Sequence, residues 1–156
     1  MGTNGGLPYN ELVKSAHKLD QLVEYIRKLE LIAEPGTRYR HSGSSFILLA
    51  KIIEVISGKE FGAYLQQEIF LPLGMSNTGH YSFNTDYDKL ENLSIGYGQE
   101  GITDLKEAER IHWSSKIGHA SIYSTAADLN KFAQAILRNE LLSMESWRKI
   151  QGSYYG

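Results

Sequence analysis

The stretch that decides the fold is Glu34–Ala50, EPGTRYRHSGSSFILLA. Pro35-Gly36 is a turn signal, because proline fixes φ and glycine accepts φ > 0. Arg38, Tyr39 and Arg40 read as a brief extended piece. His41-Ser42-Gly43-Ser44-Ser45 then gathers an imidazole, hydroxyls and a glycine just ahead of a helix. From Phe46 to Ile56 the chain is almost wholly apolar, with Lys51 and Glu54 its only charges. That pattern predicts a helix buried nearly all round, the central rod of the fold. The N-terminus of such a helix offers unpaired N–H groups and the positive end of its dipole, which places His41 and its neighbours for chemistry. The same residues also fit plain capping, with Ser44 or Ser45 as N-cap and Gly43 in the turn.

Working outward, residues 1–9 form a Gly-rich, flexible lead, and Asn10 is placed to cap a helix over 11–29. Leu12, Ala16, Leu19, Val23, Ile26 and Leu29 recur at three and four, opposite Lys14, Lys18, Gln21 and Lys28, so this helix is amphipathic. Beyond the central rod, Ser57-Gly58-Lys59 is a C-terminal glycine stop. A helix over 60–70 follows and ends at Pro72 and Gly74. Residues 76–113 lose periodicity and predict a long irregular excursion, with short helices at most near 86–93 and 105–111. Thr125 with Asp128 resembles a capping box for a helix running to about Arg138 that buries Leu129, Phe132, Ala133, Ile136 and Leu137. Ser143 caps a last short helix to Ile150, before a turn-like GSYYG. The expected architecture is mainly α, a single helical domain over 1–156 with five helices, no convincing strand pair and no internal repeat.

Composition narrows the function. At 156 residues, with 42% hydrophobic and 22% charged residues, the chain has the make-up of a globular domain. A formal charge of −2 leaves no electrostatic footprint for nucleic acid. No run approaches the roughly 18 consecutive apolar residues of a membrane span. The absence of cysteine removes disulfides, thiol catalysis and thiolate metal sites, and it leaves the compartment open. The five histidines lack metal-ligand spacing, His112 and His119 included, so no metal or other cofactor is expected.

Two Ser-x-x-Lys strings occur, Ser15 with Lys18 and Ser146 with Lys149. Serine and lysine share a helix face at that spacing, but a lysine base must be desolvated, and both lysines sit at polar or terminal positions. Both strings read as accidental. Gly96-Tyr97-Gly98-Gln99-Glu100-Gly101 spells a dinucleotide fingerprint without the strand and helix that give it meaning. His41 is different, since an imidazole at the helix-opening knot can act as a base near neutral pH.

The central stretch resembles the serine β-lactamase and penicillin-binding protein family, in its class C, esterase and DD-peptidase branch. PGTRYRHSGSSFILLAKIIEVISG is similar to that family's run of Pro-Gly-Thr, Tyr-Ser-Asn and an apolar helix closed by Ser-Gly. FGAYLQQEIFLPLGM resembles the next helix, and GHASIYSTAADLNKFAQAIL the later Tyr-Ser-Thr helix start. The segments fall in family order. The resemblance places His41 at the Tyr position, where the family moves protons, and Ser42 and Gly43 in the loop, with Gly43 at the substrate-contacting Asn position.

What the resemblance implies is the mainly helical lobe of such an enzyme. The nucleophilic Ser-x-x-Lys, the Lys/His-Thr-Gly strand and the strand lobe are not expected in these residues. Three functional expectations follow: a fragment of an acyl-transfer hydrolase acting on an amide or ester, a non-catalytic module that keeps the fold, or a small esterase using His41 with Ser42 or Ser44. The partners implied are the strand lobe, or self-association through an apolar face, with a β-lactam, peptide or ester as substrate of the intact enzyme.

Overall fold

A computed structural model describes residues 7–31, 33–34, 37–38, 41–100 and 104–152. The Pro35-Gly36 turn, Tyr39 and Arg40, the first six residues of the lead and residues 153–156 lie outside the described residues. The elements in order are α1 (Tyr9–Leu12), α2 (Leu19–Arg27), α3 (Gly43–Ser57), α4 (Phe61–Leu65) continued by a π turn over Gln66–Phe70, β1 (Gly79–His80), β2 (Tyr97–Glu100), β3 (Asp104–Glu107), β4 (Ile122–Tyr123), α5 (Ala126–Leu137) and α6 (Met144–Gln151). Helix predominates, as the periodicity predicts. The chain divides into two compact units, residues 1–52 with 81–121, and residues 53–80 with 122–156.

In the first unit, the single helix expected over 11–29 is two helices, broken between Val13 and Lys18. The break follows from tertiary hydrogen bonds that take the place of helical ones. The Val13 carbonyl accepts from the His112 N–H at 2.8 Å, and the His17 N–H donates to Ser114 Oγ at 3.1 Å. Lys18 is extended, and its N–H is bonded by the Gln21 side chain at 2.8 Å, which starts α2. Leu12, Leu19 and Leu22 are buried while Lys14, Lys18, Gln21 and Lys28 are exposed, so the two faces fall as the spacing predicts.

Helix α3 begins at Gly43 and stops at Gly58, whose φ of +69° is the left-handed conformation that ends a helix cheaply only at glycine. Its burial is not all round. Only Ser44, Ile47 and Ala50 are buried, one i, i+3 stripe, while Phe46, Leu48, Leu49, Ile52, Val55 and Ile56 are exposed. The described residues cover this helix on one side only, and each large side chain left in water forgoes roughly 1.5–3 kcal/mol of burial.

Two strand pairs correct the expectation of no convincing strand pair, within a chain that is mainly α. β2 and β3 form an antiparallel hairpin in the first unit, with Tyr97 opposite Glu107 and Glu100 opposite Asp104. A strand therefore stands where the start of a short helix near 105–111 is expected. The short helix expected at most near 86–93 is present as a 3-10 helix over Tyr87–Lys89. In the second unit β1 pairs with β4, Gly79 opposite Tyr123 and His80 opposite Ile122.

The second unit is tied by Asp128. Thr125 caps α5, its Oγ1 accepting the Asp128 N–H at 3.2 Å. The Asp128 carboxylate, however, does not complete a box. It is fully buried and accepts from the Asn77 N–H at 2.7 Å, from the Thr78 hydroxyl at 3.0 Å and from Lys131 at 2.7 Å. The Lys131 bond, more than any other contact, holds this carboxyl below the usual carboxylate range, with burial opposing. Of the apolar residues expected to be buried along α5, Phe132 and Ile136 are half-buried, whereas Leu129, Ala133 and Leu137 are exposed; Ala135 is the buried one. Ser143 caps α6 by accepting the Ser146 N–H at 3.1 Å.

His80 in the same unit meets the edge of Phe61 at 5.3 Å, and a Cβ on Gly62 would come within 2.9 Å of its Nδ1. Burial pushes the His80 pKa from 6.5 down to about 4, with the Glu54 carboxylate opposing. The folded state therefore keeps the ring neutral while the unfolded chain protonates it. Stability from this source is complete above the unfolded pKa and declines, by up to about 3 kcal/mol, as pH falls from 6.5 toward 4. Asp128 acts at lower pH, since its contribution is lost only as pH falls through its depressed value. His80→Gln should flatten the fall of the thermal midpoint between about pH 7 and about pH 4.5. Identical slopes in the two proteins would sink this assignment.

Candidate functional site

Within the first unit a cavity of about 450 Å³ opens beside the start of α3. Asn10 of α1 and Val13 just beyond it form one side; His41 and Gly43, at the mouth of α3, form another. The third side is the segment Ile111–Ala120, which contributes Ile111, Lys116, His119 and Ala120. The volume is within the range of small-molecule sites.

The placement of each wall has a local cause. Gly43 opens α3, and the Ser42 carbonyl accepts the Ser45 N–H at 3.2 Å, so His41 stands immediately outside the first helical turn, exposed and 6.3 Å from the Phe46 ring. Segment 111–120 is fixed by its hydrogen bonds to the 13–17 linker and by an aromatic stack. Tyr81 lies between Tyr87, at 5.1 Å and 15°, and Trp113, at 6.3 Å and 21°. Tyr87 Oη accepts the Trp113 N–H at 2.9 Å, and the Lys116 ammonium sits 4.9 Å above the Trp113 ring. Burial, first of all, raises the Tyr87 pKa, which keeps the phenol protonated.

Gly118 closes the wall. Its φ is +89°, and a Cβ there would lie 2.3 Å from the Phe46 carbonyl oxygen. Only glycine permits this approach of the 117–120 turn to the backbone of α3. The turn carries His119, whose pKa is lowered chiefly by partial burial, then by the charges of Lys116 and His41, while the Ile117 backbone opposes. Its imidazole is thereby biased toward the neutral form.

The expected site residues are thus distributed unevenly. His41 and Gly43 line the cavity, and Ser42 is not among the lining residues. Ser44 is buried in α3. In the first Ser-x-x-Lys string Ser15 meets His17 Nε2 at 3.2 Å, while the Lys18 ammonium lies 5.3 Å over Phe83. In the second, Lys149 pairs with Glu145 at 2.8 Å on the surface. Neither lysine is desolvated as a base must be. Asn10, Val13, Ile111, Lys116, His119 and Ala120 were not among the expected site residues. His119 and Ala120 lie in the GHASIYST run that carries the family resemblance, so that run was the available signal; Lys116 had none. Among the described residues no three His, Asp or Glu side chains gather to hold a metal, and no helix is long and apolar enough to cross a membrane.

The Beta-lactamase family model matches residues 1–153. The chain belongs to that family. PbpX of Bacillus subtilis, which carries the name of a penicillin-binding protein, is 30% identical over 156 residues, covering 96% of this chain and 36% of that protein. A D-amino acid amidase from Ochrobactrum anthropi superposes with a TM-score of 0.73 at 23% identity, over 85% of this chain and 39% of the amidase. A penicillin-binding protein from Bacillus halodurans does so at 0.71 and 23%, over 90% and 42%. These two share the fold. The chain spans about a third of the length of the curated relatives it matches.

Gly118→Ala should destabilise the protein by on the order of 3 kcal/mol, from the left-handed φ and the contact with Phe46 together. Gly98→Ala, whose Cβ would meet nothing within 4 Å, should stay within about 1 kcal/mol of the parent. Urea denaturation midpoints compare the two; equal losses would contradict the close approach.

Proposed function

We propose that this chain is the mainly helical part of a β-lactamase-like serine hydrolase, and that the cavity is one wall of its acyl-transfer cleft. The observation that supports it most is the meeting of His41 and Gly43 at one cavity in a chain of this family. On the family resemblance they occupy the Tyr and Asn positions of the Tyr-Ser-Asn element. His41 then handles the proton in attack on, and departure from, an amide or ester carbonyl. Gly43 offers no side chain, so substrate contact at that position falls to backbone or to neighbours such as Asn10.

The nucleophile and the opposite wall are supplied from outside these residues. Both Ser-x-x-Lys strings have other partners or surface positions, and an acyl-transfer site without nucleophile activation and an oxyanion hole loses most of its rate. These 156 residues alone therefore carry no meaningful turnover. Phe46, Leu48, Leu49 and Ile52 are the face that the strand lobe covers in the whole enzyme, and in its absence they drive self-association.

A second reading, a binding or scaffold module that keeps the fold without the chemistry, is favoured by the His41 and Gly43 departures from Tyr and Asn. A small esterase using Ser42 or Ser44 has less support, since Ser44 is buried and Ser42 lies outside the cavity lining.

The test is to exchange this chain for the matching segment of PbpX and to assay ester and β-lactam hydrolysis. The chimera should turn over substrate, and His41→Tyr with Gly43→Asn in it should raise the rate by about 10-fold or more, the usual scale of proton-transfer catalysis being 10²–10⁴. An inactive, folded chimera restored by that double substitution would favour the binding module instead. The isolated chain should resist a fluorophosphonate probe and sediment as larger species at high concentration, less so with Leu49→Lys. Labelling of Ser42 or a clean monomer would overturn the corresponding part.

A further inference from the structure

We propose that this cavity takes an oxyanion, a carboxylate or similar group of the bound molecule, held between Lys116, His119 and His41. The inference rests on reading the cavity as a substrate-facing wall, and adds the charge of what lies against it. Among the described residues three of the lining side chains can bear positive charge and none is a carboxylate, in a chain whose formal net charge is −2. The charge of this lining is opposite in sign to the formal net charge of the chain. The three groups come from two segments, His41 from the mouth of α3 and Lys116 and His119 from the 111–120 wall, with the neutral amide of Asn10 facing them from α1. Those are the titratable and polar side chains at the lining among the described residues.

Their proximity has an energetic consequence. The charges of Lys116 and His41 both disfavour protonation of His119. Like charges around a cavity repel, and a bound anion replaces that repulsion with charge-assisted hydrogen bonds. Lys116 is suited to the role, because its ammonium, 4.9 Å above the Trp113 ring, carries three N–H donors, more than a contact with one π face occupies. By linkage, an anion that prefers protonated imidazole raises the pKa of His119 and binds more tightly as pH falls through it.

The experiment follows the imidazole resonances of His41 and His119 by NMR while the chain is titrated with glutarate, with inorganic phosphate, or with sodium chloride at matched ionic strength. Saturable shifts at both histidines are expected, strengthening toward acid pH, weakened about 5-fold or more in Lys116→Gln and restored in Lys116→Arg. Saturation by glutarate alone assigns a carboxylate, and saturation by phosphate alone assigns a phosphoryl group. Shifts that merely track sodium chloride, or that survive Lys116→Gln unchanged, overturn the proposal. Binding in a chain whose PbpX chimera is inactive would remove the hydrolase reading and keep the anion site. An active chimera indifferent to glutarate and phosphate would do the reverse.

Discussion

The cavity depends on one close approach, Gly118 against the Phe46 carbonyl. A helix backbone within its first turn has few ways to be met so closely, because any Cβ on the partner would fall inside van der Waals contact. The left-handed φ at Gly118 turns the chain so that Lys116, His119 and Ala120 face the mouth of α3. The rest of the wall is backed by hydrogen bonds that cost the first helix its continuity. His112 and Ser114 reach the 13–17 linker, and helix 11–29 is divided to receive them. Regular structure is thus surrendered where the wall of the cavity is built, and a propensity argument has no term for that exchange.

How far the sequence could be read follows from the same distinction. Features set by neighbours in the chain were legible: the glycine stop at Gly58, the Thr125 and Ser143 caps, the Leu12, Leu19 and Leu22 stripe, and the opening of α3 beside His41. Each is decided within a turn of helix. Features set by distant partners were not. Asp128 has the spacing of a capping carboxylate, yet its oxygens serve Asn77 and Thr78, some fifty residues away in sequence. The β2–β3 hairpin lies among Gly and polar residues without the alternation that marks a strand with one buried face. Lys116 and His119 reach the cavity through the Gly118 turn, and no local pattern announces it.

Burial along α3 taught a separate lesson. An apolar run states how much surface a helix must hide, and leaves open which molecule hides it. Ile47 and Ala50 are covered by the chain itself, and the larger apolar residues around them are not. The chain spans about a third of the length of the curated relatives it matches, and on the function proposed above the strand lobe is what covers those residues.

On the alignment proposed above, the exchange of a tyrosine for His41 changes the kind of charge available at the cavity mouth. A phenol is either neutral or anionic, whereas an imidazole is either neutral or cationic. A phenolate would be stabilised by Lys116 and His119, so a cationic wall suits a tyrosine that must give up its proton. Beside an imidazole the described lining offers further potential cations, Lys116 and His119, and includes no carboxylate. On the proposal of an anion site, negative charge comes from what binds. On the two proposals above, His41 and the 111–120 wall together place the requirement for an anion on the ligand rather than on the protein.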